Sequence, residues 1–165
     1  MTEREWLACT GPQKMLEFVE GKASDRKLRL FAVACCRRLR DLLWDAALED
    51  AIRVAEAVAD NRRSKATQVR AWNKAERLRP RSLRRQCVKM AVASAIRPEP
   101  FMPGYVAESA MFALADLPDK GRTTINRRRR GERTAQAHLV RDILDRKSTR
   151  LNSSHSGESR MPSSA

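Results

Sequence analysis

Apolar residues recur at steps of three and four positions along much of the chain, and the longest such run lies in 24–60. This spacing places side chains on one side of an α-helix. In the first half of the run, these positions are Leu28, Phe31, Ala32, Cys35, Leu39, Leu42 and Leu43. Leu30 and Val33 fill part of the opposite side, so the middle turns are apolar all round and are expected to be buried. We therefore predict a central helix over 24–43, capped by Ser24, around which the other helices pack.

Further helix signals precede this segment. Thr2 followed by Glu5 forms a capping-box pattern, which predicts a short helix at the start of the chain. Thr10 offers a second cap, and Pro12 stands where a first-turn proline is tolerated. We therefore expect a second helix that ends at Gly21.

The remainder of the chain repeats the helical pattern. We predict helices over 47–60, 64–78, 83–95, 106–117 and about 123–144, and the last of these can be interrupted at Gly131. Several prolines near 98–104 remove backbone donors and predict a linker. No segment alternates with a period of two, so no sheet is expected. The predicted fold is all-α, an irregular bundle of about six to eight helices with 1–144 as a single domain.

The last residues have a different character. Residues 145–155 (DRKSTRLNSSH) resemble the translation of the adapter that is ligated to DNA fragments for short-read sequencing, and 159–165 (SRMPSSA) resemble its remainder in the same frame. A natural serine-rich terminus is the alternative that composition alone supports. Because that alternative does not account for two matches in register, we interpret 145–165 as a non-native, disordered tail. The domain is then truncated at its C-terminus.

The charge of the chain is strongly basic. The formal net charge is +14, and 1–144 alone contain 30 basic and 18 acidic residues, a net charge of +12. Such a balance attracts nucleic acid, anionic membrane surfaces or acidic proteins, but it carries no specificity. Arginine greatly outnumbers lysine, which a GC-rich genome also produces without selection for a ligand. Charge alone therefore leaves open whether the arginines bind an anionic partner or only reflect the composition of the genome.

The cysteines show no metal or disulfide pattern. Cys35 and Cys36 are adjacent in a predicted helix, where their side chains diverge and cannot bridge, and neither Cys9 nor Cys87 has a partner at metal-ligand spacing. We interpret Cys35 and Cys36 as small core residues. We predict no metal and no cofactor. The first residues lack a signal peptide's apolar core, and no stretch is long enough to span a membrane. We expect a reducing, cytoplasmic setting with no membrane partner.

Three stretches carry a resemblance to a known family. Residues 1–38 (MTEREWLACTGPQKMLEFVEGKASDRKLRLFAVACCRR) resemble the N-terminus of a large group of paralogous proteins from planctomycete bacteria of the Gemmata type. The likeness extends through 52–60 (IRVAEAVAD) and returns at 132–144 (ERTAQAHLVRDIL). Relatives continue beyond that last stretch, which implies that the domain is incomplete. The resemblance implies no catalytic residue, because no activity is assigned to the group.

Candidate catalytic chemistry is sparse. His138 is the one histidine outside the tail, and Asp142 lies four residues later, which is an ordinary helix contact. A general base needs a nucleophile or carboxylate fixed beside it, and no such partner is evident. Phosphate-loop, dinucleotide, zinc-protease and nucleophile-elbow motifs are all missing. We predict that the protein is not an enzyme and has no catalytic residue.

Two arginine groups are the strongest candidates for a binding site. The first, and our candidate nucleic-acid site, comprises Arg127, Arg128, Arg129, Arg130 and Arg133; the second comprises Arg77, Arg79, Arg81, Arg84 and Arg85. Either group can contact phosphates, but such runs are also common on solvated helix faces. Zinc-finger spacing, a recognition helix and paired aromatics for base stacking are absent. Trp6, Trp44 and Trp72 suit either an interaction surface or the core.

The sequence leaves two functional hypotheses from different classes. The first is a non-enzymatic protein-interaction or scaffold module with an unknown protein partner. The alternative is sequence-independent binding of DNA or RNA through the arginine groups. The alternative requires those arginines to share one exposed surface, whereas the scaffold hypothesis predicts an uncharged groove or an apolar patch.

Overall fold

The structure, a computed structural model, describes residues 1–98, 102–115 and 121–144. Within these ranges the chain forms eight α-helices and no strand, which confirms the all-α prediction. The helices are α1 (Glu3–Ala8), α2 (Pro12–Val19), α3 (Asp25–Arg37), α4 (Ala46–Ala59), α5 (Lys65–Arg77), α6 (Leu83–Ile96), α7 (Pro103–Ala115) and α8 (Arg122–Leu144), with a 3₁₀ helix (Arg40–Leu42) between α3 and α4. The predicted tail 145–165 and part of the predicted linker, 99–101, lie outside the described residues.

Side-chain caps start most of the early helices. Thr2 and Glu5 form the predicted reciprocal capping box at α1. The hydroxyl of Ser24 accepts from the backbone N–H of Lys27 at the start of α3, as predicted. The prediction for Thr10 is wrong: the cap residue of α2 is Gly11, which has no side chain, and Pro12 takes the first helical position. A proline is tolerated there because the N–H that it lacks would have no partner within the helix.

The central helix is shorter than its apolar pattern predicts. It ends at Arg37, and the chain continues through the 3₁₀ helix to Leu43, where the prediction had placed the end of α3. Leu39 and Leu42 are three residues apart, a spacing that suits a 3₁₀ turn as well as an α-helix. Leu39 consequently remains fully buried although the helix has ended.

Two other boundaries differ from prediction. Helix α7 begins at Pro103 and not at 106, because a proline in the first turn removes only a donor that would be unpaired anyway. The predicted linker is correspondingly shorter. Helix α8 continues through Gly131 without a break. A single glycine costs a helix only about 1 kcal/mol relative to alanine, which is too little to interrupt it.

Three helices share the centre of the bundle. Helix α3 packs against α4, α6, α7 and α8, helix α6 against α3, α4, α5 and α7, and helix α7 against α2, α3, α6 and α8. Phe31 on α3 and Val106 on α7 are fully buried and belong to the same hydrophobic cluster. The predicted central role of α3 is confirmed, but α6 and α7 share that role.

Buried polar side chains hold the end of α6. Gln68 donates through Nε2 to the carbonyl of Ile96 at 2.9 Å, and Arg29 donates through Nη1 to the carbonyl of Ala95 at 2.9 Å. The last carbonyls of a helix have no partner within the helix, so these donors satisfy groups that burial would otherwise leave unpaired. Helices α3 and α5 are thereby fixed to the C-terminal end of α6.

Helices α7 and α8 run antiparallel. Gln136 Nε2 donates to the carbonyl of Ala107 at 2.8 Å, and nearer the start of α8 the Arg129 guanidinium lies over the ring of Phe112, near the end of α7. The start of α8 and the end of α7 therefore lie at the same end of the bundle.

Candidate functional site

The arginines of α8 face different surroundings. Arg127, Arg128 and Arg130 are exposed to solvent. Arg129 is half-buried, and its guanidinium lies 4.8 Å from the ring centroid of Phe112. Arg133 is exposed but lies apart from the run, where it lines a groove with α2 residues. Because consecutive helical residues point about 100° apart, the side chains of 127–130 spread around α8, while Arg133 lies one turn beyond Arg129 on the same side of the helix.

The second arginine group extends from Arg77, the last residue of α5, through the connection to the first turn of α6. Arg84 donates through Nε to the carbonyl of Ala113 at 2.9 Å, and the guanidinium of Arg85 lies 5.6 Å from the ring centroid of Trp44. Arg79 and Arg81 are exposed in the connection between α5 and α6. This group therefore lies against both the end of α7 and the segment after α3.

The two groups meet at the last turn of α7. Arg129 contacts Phe112 and Arg84 contacts Ala113, and these two targets are consecutive residues. The first turn of α6 and the start of α8 therefore each contact the last turn of α7 through one arginine side chain. We define the basic surface as Arg79, Arg81, Arg84, Arg85, Arg127, Arg128, Arg129 and Arg130.

Carboxylates are scarce at the basic surface. The stretches 77–98 and 120–131 contain no aspartate or glutamate. Among the described residues, no ion pair forms to the exposed arginines Arg81, Arg85 and Arg127. The N-termini of α6 and α8 add partial positive charge at this end, where the C-terminus of α7 adds partial negative charge. Asp116 and Asp119, in the connection between α7 and α8, lie outside the described residues. Within the described part of the chain, the three exposed arginines therefore add cationic charge that no ion pair offsets.

The nearest acidic residue on α8 is already neutralised. Glu132 is buried and accepts from Arg38 at the end of α3, with Nε at 2.8 Å and Nη2 at 2.7 Å. The hydrogen bonds that Arg38 donates to the Glu132 carboxylate raise the pKa of the Arg38 guanidinium above its usual value. Gln136 also donates to Glu132, at 3.2 Å. This carboxylate consequently fixes α3 to α8 and does not face the basic surface as a free anion.

The aromatic residues near the basic surface are covered by arginine. The Trp44 ring lies under Arg85 and the Phe112 ring under Arg129, and both rings are half-buried. Trp6 is buried, while Trp44 and Trp72 are half-buried against the core cluster. The three tryptophans therefore anchor the core at separate places and do not form one surface.

His138, the residue considered as a general base, and the cysteines of α3 lie in different surroundings. His138 is exposed on α8, whereas Cys35 and Cys36 are fully buried on α3. In the ranges that the structure describes, no group of three histidine, cysteine or acidic side chains is arranged to hold a metal ion. None of the described helices is long and apolar enough to cross a bilayer.

Burial makes two of the cysteines unreactive. Burial raises the pKa of the Cys36 thiol to about 12, and it raises that of Cys35 well above its usual value, with a smaller contribution from Cys36. Only the thiolate reacts rapidly with disulfide reagents. At pH 8 we expect Ellman's reagent to modify Cys9 and Cys87, which are half-buried, well before Cys35 and Cys36. Equal rates for all four thiols in the folded protein would contradict this placement.

Comparison with known proteins gives no match among family models, curated proteins or solved structures. The resemblance to the planctomycete group therefore stays a prediction from the sequence.

Proposed function

We propose that the protein binds the phosphate backbone of DNA or RNA through the basic surface, without reading its sequence. The observation that carries this proposal is the meeting of the two arginine groups at Phe112 and Ala113. Affinity for a polyanion grows with the number of phosphates contacted at once, because each contact releases condensed counterions. Two separated arginine runs would contact far fewer phosphates of one strand than a single surface does.

The side-chain chemistry supports backbone binding. The planar guanidinium donates two parallel hydrogen bonds to a phosphate, and arginine is less strongly hydrated than lysine. Arg84 and Arg129 are held by α7, so they lose less freedom on binding than fully mobile side chains. Arginine side chains cover the rings of Trp44 and Phe112, so neither ring offers a free face at the basic surface on which bases could stack. Contacts to phosphate position a protein on a strand without specifying sequence.

The proposal is tested by removing charge from the basic surface. In a variant with Arg81, Arg85, Arg127 and Arg128 changed to glutamine, all four altered side chains are exposed and the fold should be retained. We expect weaker binding to a fluorescent oligonucleotide, and a plot of log K against log salt that is less steep by about 3, since each lost contact contributes about 0.7–0.9. Binding measured by anisotropy from low to moderate salt gives both quantities.

The control variant removes the same charge elsewhere. Arg4, Lys22, Arg63 and Lys65 are also exposed, and Lys65 starts α5, beside the end of α6 that lies far from the basic surface. Changing these four to glutamine should leave the affinity and salt slope close to those of the unmodified protein. If both variants weaken binding equally, binding follows net charge and the proposed surface is refuted. Absence of binding at low salt would refute nucleic-acid binding altogether.

A protein-interaction module is the second candidate. Its specific support is a pair of exposed apolar side chains at the start of α7, Met102 at 52% and Tyr105 at 37% exposure. The other large exposed apolar side chains among the described residues are those of Met1, Leu7 and Leu83, none of which belongs to α7. Scattered apolar residues are normal on soluble proteins, so this support is weaker than that for the basic surface. A folded chain that binds no oligonucleotide at low salt is the result that favours this candidate.

A further inference from the structure

A second basic feature lies on α5, outside the basic surface. Arg70, Lys74 and Arg77 recur at steps of four and three, which places them on one face of the helix. Together with Asp50 and Val54 of α4, they line a cleft of about 430 Å³. Arg70 also donates through Nη2 to the hydroxyl of Thr67 at 3.2 Å, which holds its guanidinium beside the cleft. The cleft therefore has one wall of three cations.

The opposite wall contains a single carboxylate. Asp50 lies 3.7 Å from the guanidinium of Arg53, a partner on its own helix. The Asp50 side chain is 46% exposed, so this ion pair is a weak, solvated one. In the cleft the three cations outnumber the carboxylate, and an anion is the ligand that this arrangement favours. Asp50 itself would repel that anion.

The cleft and the basic surface are continuous along the chain. Arg77 lines the cleft, and Arg79 and Arg81 follow it in the connection to α6. Even a fully extended chain between Arg77 and Arg81 spans only about 14 Å. One strand of a nucleic acid carries a phosphate about every 3.4 Å along the helix axis, so a short stretch of strand covers that separation.

We propose that the cleft between α4 and α5 is a second phosphate-binding site, occupied by the same nucleic-acid strand that lies on the basic surface. This inference rests on the proposed function and extends it. It assigns to the strand a path from the start of α8, across the start of α6, to the outer face of α5. A short oligonucleotide fills the basic surface alone, and only a longer one reaches the cleft.

The experiment compares two lengths of oligothymidylate, about 6 and about 20 nucleotides, with the full chain, since single folded modules cover roughly 4–16 nucleotides. In a variant with Arg70 and Lys74 changed to glutamine, we expect affinity for the long oligonucleotide to fall about fivefold to tenfold. Its salt slope should fall by about 1.4, because each single-strand phosphate contact contributes about 0.7. Affinity for the short oligonucleotide should stay within about twofold of its original value.

A second variant changes affinity in the opposite direction. Asp50→Asn removes the carboxylate facing the three cations, so it should strengthen binding of the long oligonucleotide at low salt and leave the short one unaffected. Opposite responses from two walls of one cleft are not expected of a general loss of stability, and thermal melting of both variants checks that the fold is retained.

The outcomes separate the two claims. If the short oligonucleotide binds but neither cleft variant alters the long one, the cleft inference is refuted and the proposed function stands. The cleft inference is also refuted if a cleft variant changes the affinity for the short and the long oligonucleotide equally, because the effect then comes from net charge. If the unmodified chain binds neither length, the proposed function and the cleft inference both fail.

Discussion

Changing Leu39 to alanine lowers the free energy of unfolding by about 2–5 kcal/mol. Leu39 is fully buried and belongs to the main hydrophobic cluster, although it lies two residues beyond the end of α3. The truncation removes apolar contacts and leaves a cavity, since the 3₁₀ helix that follows holds the backbone in place. Urea unfolding, followed by circular dichroism at 222 nm, measures this loss.

The matched control for this change is Leu42→Ala. Leu42 is only half-buried in the same 3₁₀ helix, so its truncation should cost less than half as much. A cost below about 1 kcal/mol for Leu39→Ala, or equal costs at the two positions, would remove the segment after α3 from the core.

Changing Arg38 to alanine lowers the free energy of unfolding by about 2–3 kcal/mol, because it leaves the buried Glu132 carboxylate without its two charged hydrogen bonds. Glu132 is only 6% exposed, and among the described residues the side-chain donor that remains to it is Gln136 at 3.2 Å. The contact joins the end of α3 to α8 across 94 residues of chain. Its loss should therefore destabilise the whole bundle and not one helix.

Arg37→Ala is the control on the neighbouring residue. Arg37 pairs with Glu56, but its side chain is 60% exposed, so removal should cost less than about 1 kcal/mol. The double change Arg38→Ala with Glu132→Gln should cost less than Arg38→Ala alone, because no unpaired charge is then buried. Equal costs for Arg37→Ala and Arg38→Ala would show that burial of Glu132 has no energetic consequence.

The local signals in the sequence predict most of the helices. Ser24, Ser64 and Ser82 each accept a backbone N–H at the predicted helix start, because such caps act within one turn. Boundaries that depend on packing are predicted less well. The end of α3 is one example, since a leucine spacing of three fits both an α-helix and a 3₁₀ turn, so the apolar pattern does not locate the end.

The candidate site is predictable only in part. The arginine runs are visible in the sequence, but their meeting depends on contacts from Arg84 to Ala113 and from Arg129 to Phe112, which no local pattern indicates. The groove that Arg133 lines with α2 likewise depends on helix packing. The sequence analysis names Arg77 but not Arg70 or Lys74, although their spacing of four and three is present in the sequence.

The central claim, that two distant arginine groups form one surface for a polyanion, is tested most directly by arginine-specific modification. The folded chain is treated with phenylglyoxal with and without a bound oligonucleotide, and modification at each arginine is measured by mass spectrometry. We expect the oligonucleotide to protect Arg81 and Arg85 together with Arg127 and Arg128, in parallel as its concentration rises, while Arg4 stays reactive. Protection of only one group, or equal protection of Arg4, would contradict the claim.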